Sequence, residues 1–254
     1  MFFTSIEKMI LKNKNIFITG AGKGIGQSCI HNFLSKGGYV FALINKKNDN
    51  LKFKGLSNLK IYNGSARNQK LISKIFEDSK KIKRPINCLV NNAGLRFRKK
   101  FLKIKESELK DIFETNFFSP FIIMQIFSKF LIQNKMKGSI INITSIVGEL
   151  GFDELAGYAA SKGALSSLTK SFAAEMSKYG INTNNISPGF VKTSFYQKFK
   201  KDKKKLYNWT LSRIPQRRWG EPQEVAELAS FILSNKSNYL NGETITIDGG
   251  WSNA

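Results

Sequence analysis

Histidine occurs once, cysteine twice and proline five times in these 254 residues. With His31 as the sole histidine and no G-x-S-x-G stretch, a Ser-His-Asp hydrolase site cannot be assembled; His31, on the first helix, reads as a surface or packing residue. The two cysteines, Cys29 and Cys88, are distant in sequence and offer neither a disulfide framework nor metal-ligand spacing. No metal site is expected, and a reducing cytoplasm is the expected location. No apolar run reaches the length of a membrane span. The richest, Phe117–Ile132, is broken by Pro120, Gln125 and Lys129 and reads as a buried or interface helix, so no membrane partner is expected. The N-terminal stretch MFFTSIEKMILKNKNIF lacks the h-region and cleavage site of a secretory signal. The absence of GKS or GKT excludes a P-loop.

Acidic residues are also scarce: 18 Asp and Glu stand against 41 Lys and Arg, a formal charge of +23. A nucleic-acid partner would suit such a balance. However, the lysines are scattered and no helix-turn-helix, zinc-finger or RNP pattern accompanies them, so none is expected. The abundance of Asn, Ile and Phe points to compositional bias, with attraction of an anionic substrate or cofactor left open. The run KFKKDKKK, Lys198–Lys205, is expected to form a solvated, mobile loop.

Short apolar runs alternate with helical patterns along the whole chain. The runs are NIFITG, YVFALIN, LKIYN, INCLVNN, GSIINITS, INTNNIS and TITIDGG. The spacing predicts a helix from about Ile25 and others around Gln69–Lys83, Glu106–Asn134, Tyr158–Tyr179 and Gln223–Ser234. Such alternation implies an α/β fold, a parallel sheet with helices on both faces, in one catalytic domain over residues 1–254. Ligands of these sheets bind beyond the carboxyl ends of the strands.

The loops after those strands carry the chemistry. TGAGKGIG, Thr19–Gly26, follows the first strand and opens the first helix, where glycines let a pyrophosphate approach and the helix end supplies N–H donors. It fits G-x-x-x-G-x-G through Gly20, Gly24 and Gly26, with Lys23 and Ile25 inside the turn. LVNNAG ends a strand in Asn92, Ala93 and Gly94, small enough to pass close to a ribose. Asn116 lies within a helix, and Ser145 ends another strand. YAASK places Tyr158 one helical turn before Lys162, on a shared face. SPGFVKT, with Pro188, Gly189, Val191 and Thr193, follows a further strand.

In this order and spacing, with Ser145 thirteen residues before Tyr158, the motifs resemble the short-chain dehydrogenase/reductase family from Asn15 to Gly250. The resemblance implies a single Rossmann-like, doubly wound sheet, a nicotinamide cofactor, and a catalytic set of Asn116, Ser145, Tyr158 and Lys162. Transfer of hydride to a carbonyl carbon must be matched by a proton at its oxygen. A phenol of pKa about 10 is a poor base near neutrality. The Lys162 ammonium, helped by the charge of oxidised nicotinamide, would lower it. Lys162 would also bond the ribose, Ser145 would orient the substrate oxygen, and Asn116 would hold a water linking Lys162 to solvent.

The second strand ends in Asn45, Lys46 and Lys47, with no acid to bond an adenosine 2′-hydroxyl and repel a 2′-phosphate. With Lys23, this favours NADP(H) over NAD(H). Ser65 stands where relatives commonly carry an aspartate against adenine, and Arg67 could stack or pair with phosphate. The stretches around Arg98, Glu149–Asp153 and Trp209–Pro222, in a substrate loop of about 188–222, resemble the gluconate 5-dehydrogenase branch. On that resemblance the substrate is a sugar acid or keto-sugar, with Arg98 for its carboxylate, Glu149 for its hydroxyls, and Ser145 and Tyr158 at its carbonyl. Arg98 and Arg218 could instead brace loops, and Glu149 could cap a turn. A 3-oxoacyl-(acyl-carrier-protein) reductase is the alternative. In another class, a catalytically silent scaffold is disfavoured by the presence of Tyr158 and Lys162. Helices at Phe117–Ile132 and following Tyr158 imply, by the same resemblance, a homotetramer.

Overall fold

The computed structural model describes residues 9–193 and 196–254. Residues 1–8 of the stretch searched for a secretory signal, and residues 194 and 195 of the expected substrate loop, lie outside them.

Apolar runs bounded by turns become the inner strands because both of their faces are covered. In β1 (Asn15–Thr19), Ile16 and Ile18 pack on one side with Cys29 and Ile30, while Phe17 points to the other and meets Phe76 edge-on at 5.6 Å between ring centroids. The remaining strands are β2 (Tyr39–Ile44), β3 (Leu59–Asn63), β4 (Cys88–Asn91), β5 (Gly138–Ile143), β6 (Ile181–Pro188) and β7 (Thr244–Ile247). They form one seven-stranded sheet in the order β3-β2-β1-β4-β5-β6-β7, parallel throughout. The expected doubly wound α/β fold is therefore present.

Helices α1 (Gly24–Ser35) and α8 (Pro222–Leu233) cover one face through Phe33, Val225, Ala229 and Leu233. On the other lie α2 (Gln69–Lys81), α4 (Ser119–Gln133) and α5 (Ala156–Met176). The helical stretch Glu106–Gln133 is long and apolar enough to cross a membrane, but half of its apolar window is buried, with Ile123, Phe127 and Leu131 in the core. It is also not continuous α-helix: α3 (Glu106–Phe113) joins α4 through a π turn at Glu114–Phe118.

A row of polar residues crosses the sheet. Asn91, Asn142, Asn185 and Thr244 are successive register partners on β4 to β7. Asn91 Nδ2 donates to Asn142 Oδ1 at 2.8 Å, and Asn142 Nδ2 to Thr169 Oγ1 at 2.8 Å. Thr169 Oγ1 donates to Asn185 Oδ1 at 2.6 Å, and Asn185 Nδ2 to Thr244 Oγ1 at 2.9 Å. Buried amides that need these partners fix the strand register, and so align the strand ends that carry the site.

The lysine run is not a loop. It belongs to α6 (Tyr196–Asp202) and α7 (Lys204–Arg213). Phe199, Leu206, Tyr207, Thr210 and Leu211 supply an inward face at helical spacing, while Lys200, Lys201 and Lys203 to Lys205 remain exposed as expected. Together with Trp219, Trp251, Leu155 and Ile214 they build a third apolar cluster beyond the strand ends.

Phe127 is fully buried beside Phe76, with ring centroids 5.8 Å apart. Phe127→Ala is expected to lower the unfolding free energy by about 3–5 kcal/mol in a urea titration. A loss below about 1 kcal/mol would show that this face is not a packed core.

Candidate active site

The turn after β1 and the loop after β4 are tied to each other before they form any site. Thr19 Oγ1 accepts from the N–H groups of Asn92 and Ala93, both at 3.1 Å. Asn92 Nδ2 donates to the carbonyls of Thr19 at 3.0 Å and Gly20 at 2.9 Å. This approach needs glycine. Gly20 has φ +64°, and a Cβ there would lie 2.7 Å from Ala93 Cα; one on Gly26 would lie 2.5 Å from the Gly20 carbonyl oxygen.

The loop then passes to Asn116, fully buried in the π turn. Asn116 Oδ1 accepts from Leu95 N–H at 2.7 Å, and its Nδ2 donates to Leu95 O at 2.9 Å and Ser161 Oγ at 3.0 Å. Both donors are spent, so a water held by this side chain would have only the second lone pair of Oδ1.

Ser145, Tyr158 and Lys162 line one cleft of about 300 Å³, with Pro188, Gly189, Val191 and Thr193 on its wall. Ser145 caps a 3-10 turn, Ile146–Gly148, its Oγ accepting from Val147 N–H at 3.2 Å. Lys162 Nζ donates to the carbonyl of Ile143 at 2.7 Å and lies 6.0 Å from the centre of the Tyr158 ring. Burial alone drops the Lys162 pKa to about 8. Burial also raises the Tyr158 pKa; the nearby Arg96 charge and the Ser145 hydrogen bond pull the other way without overcoming it. Beside Lys162, a second cation faces this phenol: Arg96, whose Cζ stands 5.9 Å from the ring centre, also favours its ionised form.

A second groove of about 990 Å³ adjoins the cleft and is lined by Gly20, Lys23, Gly24, Ile25, Asn45, Asn92, Ala93 and Gly94, among others. Lys46 is exposed and lies outside that lining, and Gly26 serves packing beneath the turn. An acid does approach the turn: a Cβ on Gly22 would meet Asp49 Oδ2 at 2.9 Å. Asp49 is already paired with Lys52 at 2.6 Å, and the charges of Lys52, Lys46 and Lys23 hold its carboxyl below the usual range. At the adenine end, Ser65 lines the groove. Arg67 is engaged by Asp111, 2.6 Å from Oδ1 and 2.8 Å from its carbonyl, rather than held ready for a phosphate.

Arg98 lines both spaces and pairs loosely with Glu154 at 4.0 Å. Glu149 is not among the residues lining the cleft: it is exposed and ends the 3-10 turn Ile146–Gly148. Arg218 forks onto Glu224 with two bonds of 2.7 Å and braces α8. Arg96 and Phe199, both in the cleft wall, were not foreseen. Phe199 was hidden by the lysines around it, and Arg96 by its lying in a loop without periodicity.

Residues 20–252 match a family model described as enoyl-(acyl carrier protein) reductase, in the short-chain dehydrogenase group. The chain belongs to the short-chain dehydrogenase/reductase family. It is an oxidoreductase of that family. It is 37% identical over 166 residues to a 5-keto-D-gluconate 5-reductase of Escherichia coli K12, a match spanning 65% of each protein. It is 33% identical over 251 residues to a 3-oxoacyl-(acyl-carrier-protein) reductase of Buchnera aphidicola, spanning 95% of this chain and 98% of that one. A solved structure titled as a putative gluconate dehydrogenase from Agrobacterium tumefaciens superposes with a TM-score of 0.90 at 28% identity, over 97% of this chain and 99% of that one. A 4-hydroxyisoleucine dehydrogenase complexed with NADH superposes at 0.88 with 32% identity, over 95% and 99%.

The Lys162 pKa has a consequence for folding. From its ordinary 10.5 down to about 8, the unfolded chain binds a proton that the folded chain does not, so stability rises with pH across that window. Below pH 8 the buried ammonium carries its full penalty of about 3 kcal/mol, partly offset by its bond to Ile143. Lys162→Met is expected to raise the urea midpoint of the cofactor-free protein at pH 7, by an amount that shrinks between pH 8 and 10.5. A difference between variant and parent that stays constant from pH 8 to 10.5 would show that burial does not penalise the ammonium.

Proposed function

We propose that this protein is a single catalytic domain that interconverts a ketone and a secondary alcohol with NADP(H), and that the substrate is a sugar acid or keto-sugar. The observation that supports it is the meeting of Ser145, Tyr158 and Lys162 in one cleft that opens into the glycine-lined groove. The groove, of about 990 Å³, carries the close-approach glycine turn that a dinucleotide needs. Gly20, Gly24, Ile25, Asn92 to Gly94, Pro188 to Val191 and Thr193 would hold the cofactor, which supplies hydride to the carbonyl carbon. Tyr158 gives its hydroxyl proton to the carbonyl oxygen, Ser145 orients that oxygen, and Lys162 binds ribose and adds positive charge. The outcome is one hydride and one proton added across the C=O bond.

NADP(H) is favoured by charge. Lys23 and Asn45 line the groove at the end of β2, and Asp49, the nearest acid to the turn, is neutralised by Lys52. Solved relatives carry both kinds of cofactor: one structure is titled as ElxO with NADP bound, another as a dehydrogenase with NADH. A sugar acid suits a cleft of about 300 Å³, and the E. coli relative bears such a name. A second reading, a 3-oxoacyl group on an acidic carrier protein, is supported by the exposed lysines of α6 and α7 beside the cleft and by the Buchnera relative. The buried free thiols of Cys29 and Cys88 suit a reducing cytoplasm, and a homotetramer remains our reading of the family resemblance.

NADPH oxidation with 5-keto-D-gluconate, against acetoacetyl thioester, tests the substrate. Turnover of the thioester alone would reverse the order of the two readings. Tyr158→Phe is expected to lower kcat by about 10²–10⁴ while leaving NADPH binding within about twofold; full turnover by that variant would remove Tyr158 from the mechanism. Lys23→Glu is expected to raise the KM for NADPH far more than that for NADH. Equal changes in both would remove Lys23 from cofactor choice.

A further inference from the structure

The described lining of the smaller cleft contains three cationic side chains, Arg96, Arg98 and Lys162, and no carboxylate. Their environments differ. Lys162 is turned to the carbonyl of Ile143, and Arg98 faces Glu154. Arg96 stands over the face of the Tyr158 ring, its Cζ 5.9 Å from the ring centre, and lines the cleft. Its side chain is exposed to solvent, and the protein on its other side lowers its pKa by desolvation.

Arg96 is also held in place. The preceding residue, Leu95, has both backbone polar groups bonded to the buried Asn116. Three residues further on, Lys99 N–H donates to Glu154 O at 2.8 Å, and its amine bonds Glu108 at 2.7 Å. A loop without regular secondary structure is thereby pinned on both sides of the arginine. A guanidinium in a partly desolvated cleft, presenting a planar fork, recognises a carboxylate better than an ammonium would.

We infer that Arg96 is the specificity-determining residue of this cleft, receiving an anionic group of the substrate, a carboxylate carried on the same small molecule as the reacting carbonyl, beside Tyr158. The inference rests on the proposed carbonyl chemistry and narrows its substrate to small acids. It gives Arg96 a second effect, since the cation over the phenol also favours the phenolate. The charged and titratable groups around that phenol are Arg96 and Arg98 from the β4 loop, Lys162 from its own helix and Glu154 opposite Arg98.

The test separates substrate from cofactor as the source of the anion. D-gluconate and uncharged D-glucitol are titrated calorimetrically into protein saturated with NADP⁺, and the KM for NADPH is measured alongside. Gluconate is expected to bind the parent at least about tenfold more tightly than glucitol, the fold-change of one charge-assisted bond. Arg96→Gln is expected to erase that preference, Arg96→Lys to restore part of it, and Arg98→Gln to leave most of it, each with the KM for NADPH within about twofold. The apparent pKa of alcohol oxidation is expected to rise in Arg96→Gln. A parent that does not distinguish the two ligands, or an Arg96→Gln protein in which only the KM for NADPH changes, overturns the assignment. Arg96-dependent gluconate binding without turnover of 5-keto-D-gluconate would keep the inference and sink the sugar-acid reading of the reaction.

Discussion

One buried amide joins the three segments from which the site is made. Asn116 sits at zero exposure in a π turn, a widened helical turn of the kind that recurs at functional sites. It meets both polar groups of Leu95 and the hydroxyl of Ser161. Ser161 in turn donates to the Tyr158 carbonyl at 2.8 Å and directly precedes Lys162. The loop carrying Arg96, the α3–α4 junction and the catalytic helix therefore share a single side chain. Without it, two backbone groups would be left unpaired, at about 1–3 kcal/mol each. The amide row from Asn91 to Thr244 plays the corresponding part for the strand ends, fixing Ser145 and Pro188 relative to one another through register rather than through contact.

The site is held by that scaffold against its own electrostatics. Lys162 is buried with a carbonyl as its bonded partner, and Tyr158 is buried where desolvation makes it less acidic. Both conditions oppose folding or catalysis when the protein's groups act alone. The positive charge of an oxidised nicotinamide, when bound, would offset the hydration that the buried phenolate lacks, in a medium where that charge is weakly screened. The same burial that raises the phenol's pKa thus magnifies each charge brought near it. Phe190 and Trp219 of the aromatic cluster beyond the strands form an apolar wall of the cleft; Trp219 is fixed there by its Nε1 bond to Thr210 at 2.8 Å.

The sheet was readable from the chain because the inner strands β1, β2, β4 and β5 are covered on two sides and appear as largely apolar runs between turns, and the remaining runs fall at the matching spacing. The glycine turn was readable because Gly20 and Gly26 have no steric alternative. What escaped was set by tertiary neighbours. The inward face of α6 and α7 is sparse, and eight residues of KFKKDKKK outweigh it by composition. The π turn changes no residue type. Arg67 and Arg98 line the spaces where ligands would lie, the first engaged by Asp111 and the second loosely facing Glu154, whereas Glu149 ends a 3-10 turn outside both linings. Spacing fixes which residues share a helix face; it does not fix which of two nearby arginines, 96 or 98, leans over the phenol.

The charge of +23 and the cation-only lining of the cleft are easily taken for one property, yet they act over different distances. Exposed lysines are screened within about 8 Å at physiological ionic strength, so they raise the local concentration of any anion and distinguish none. Discrimination requires a group held at a fixed position beside the reacting phenol, where a misplaced ligand cannot follow it. Arg96 is so held: it lies over the Tyr158 ring, and the loop that carries it is bonded at Leu95 and at Lys99. Selectivity for acids should therefore survive in high salt while the rate of encounter falls, because screening reaches the surface lysines well before it reaches the cleft.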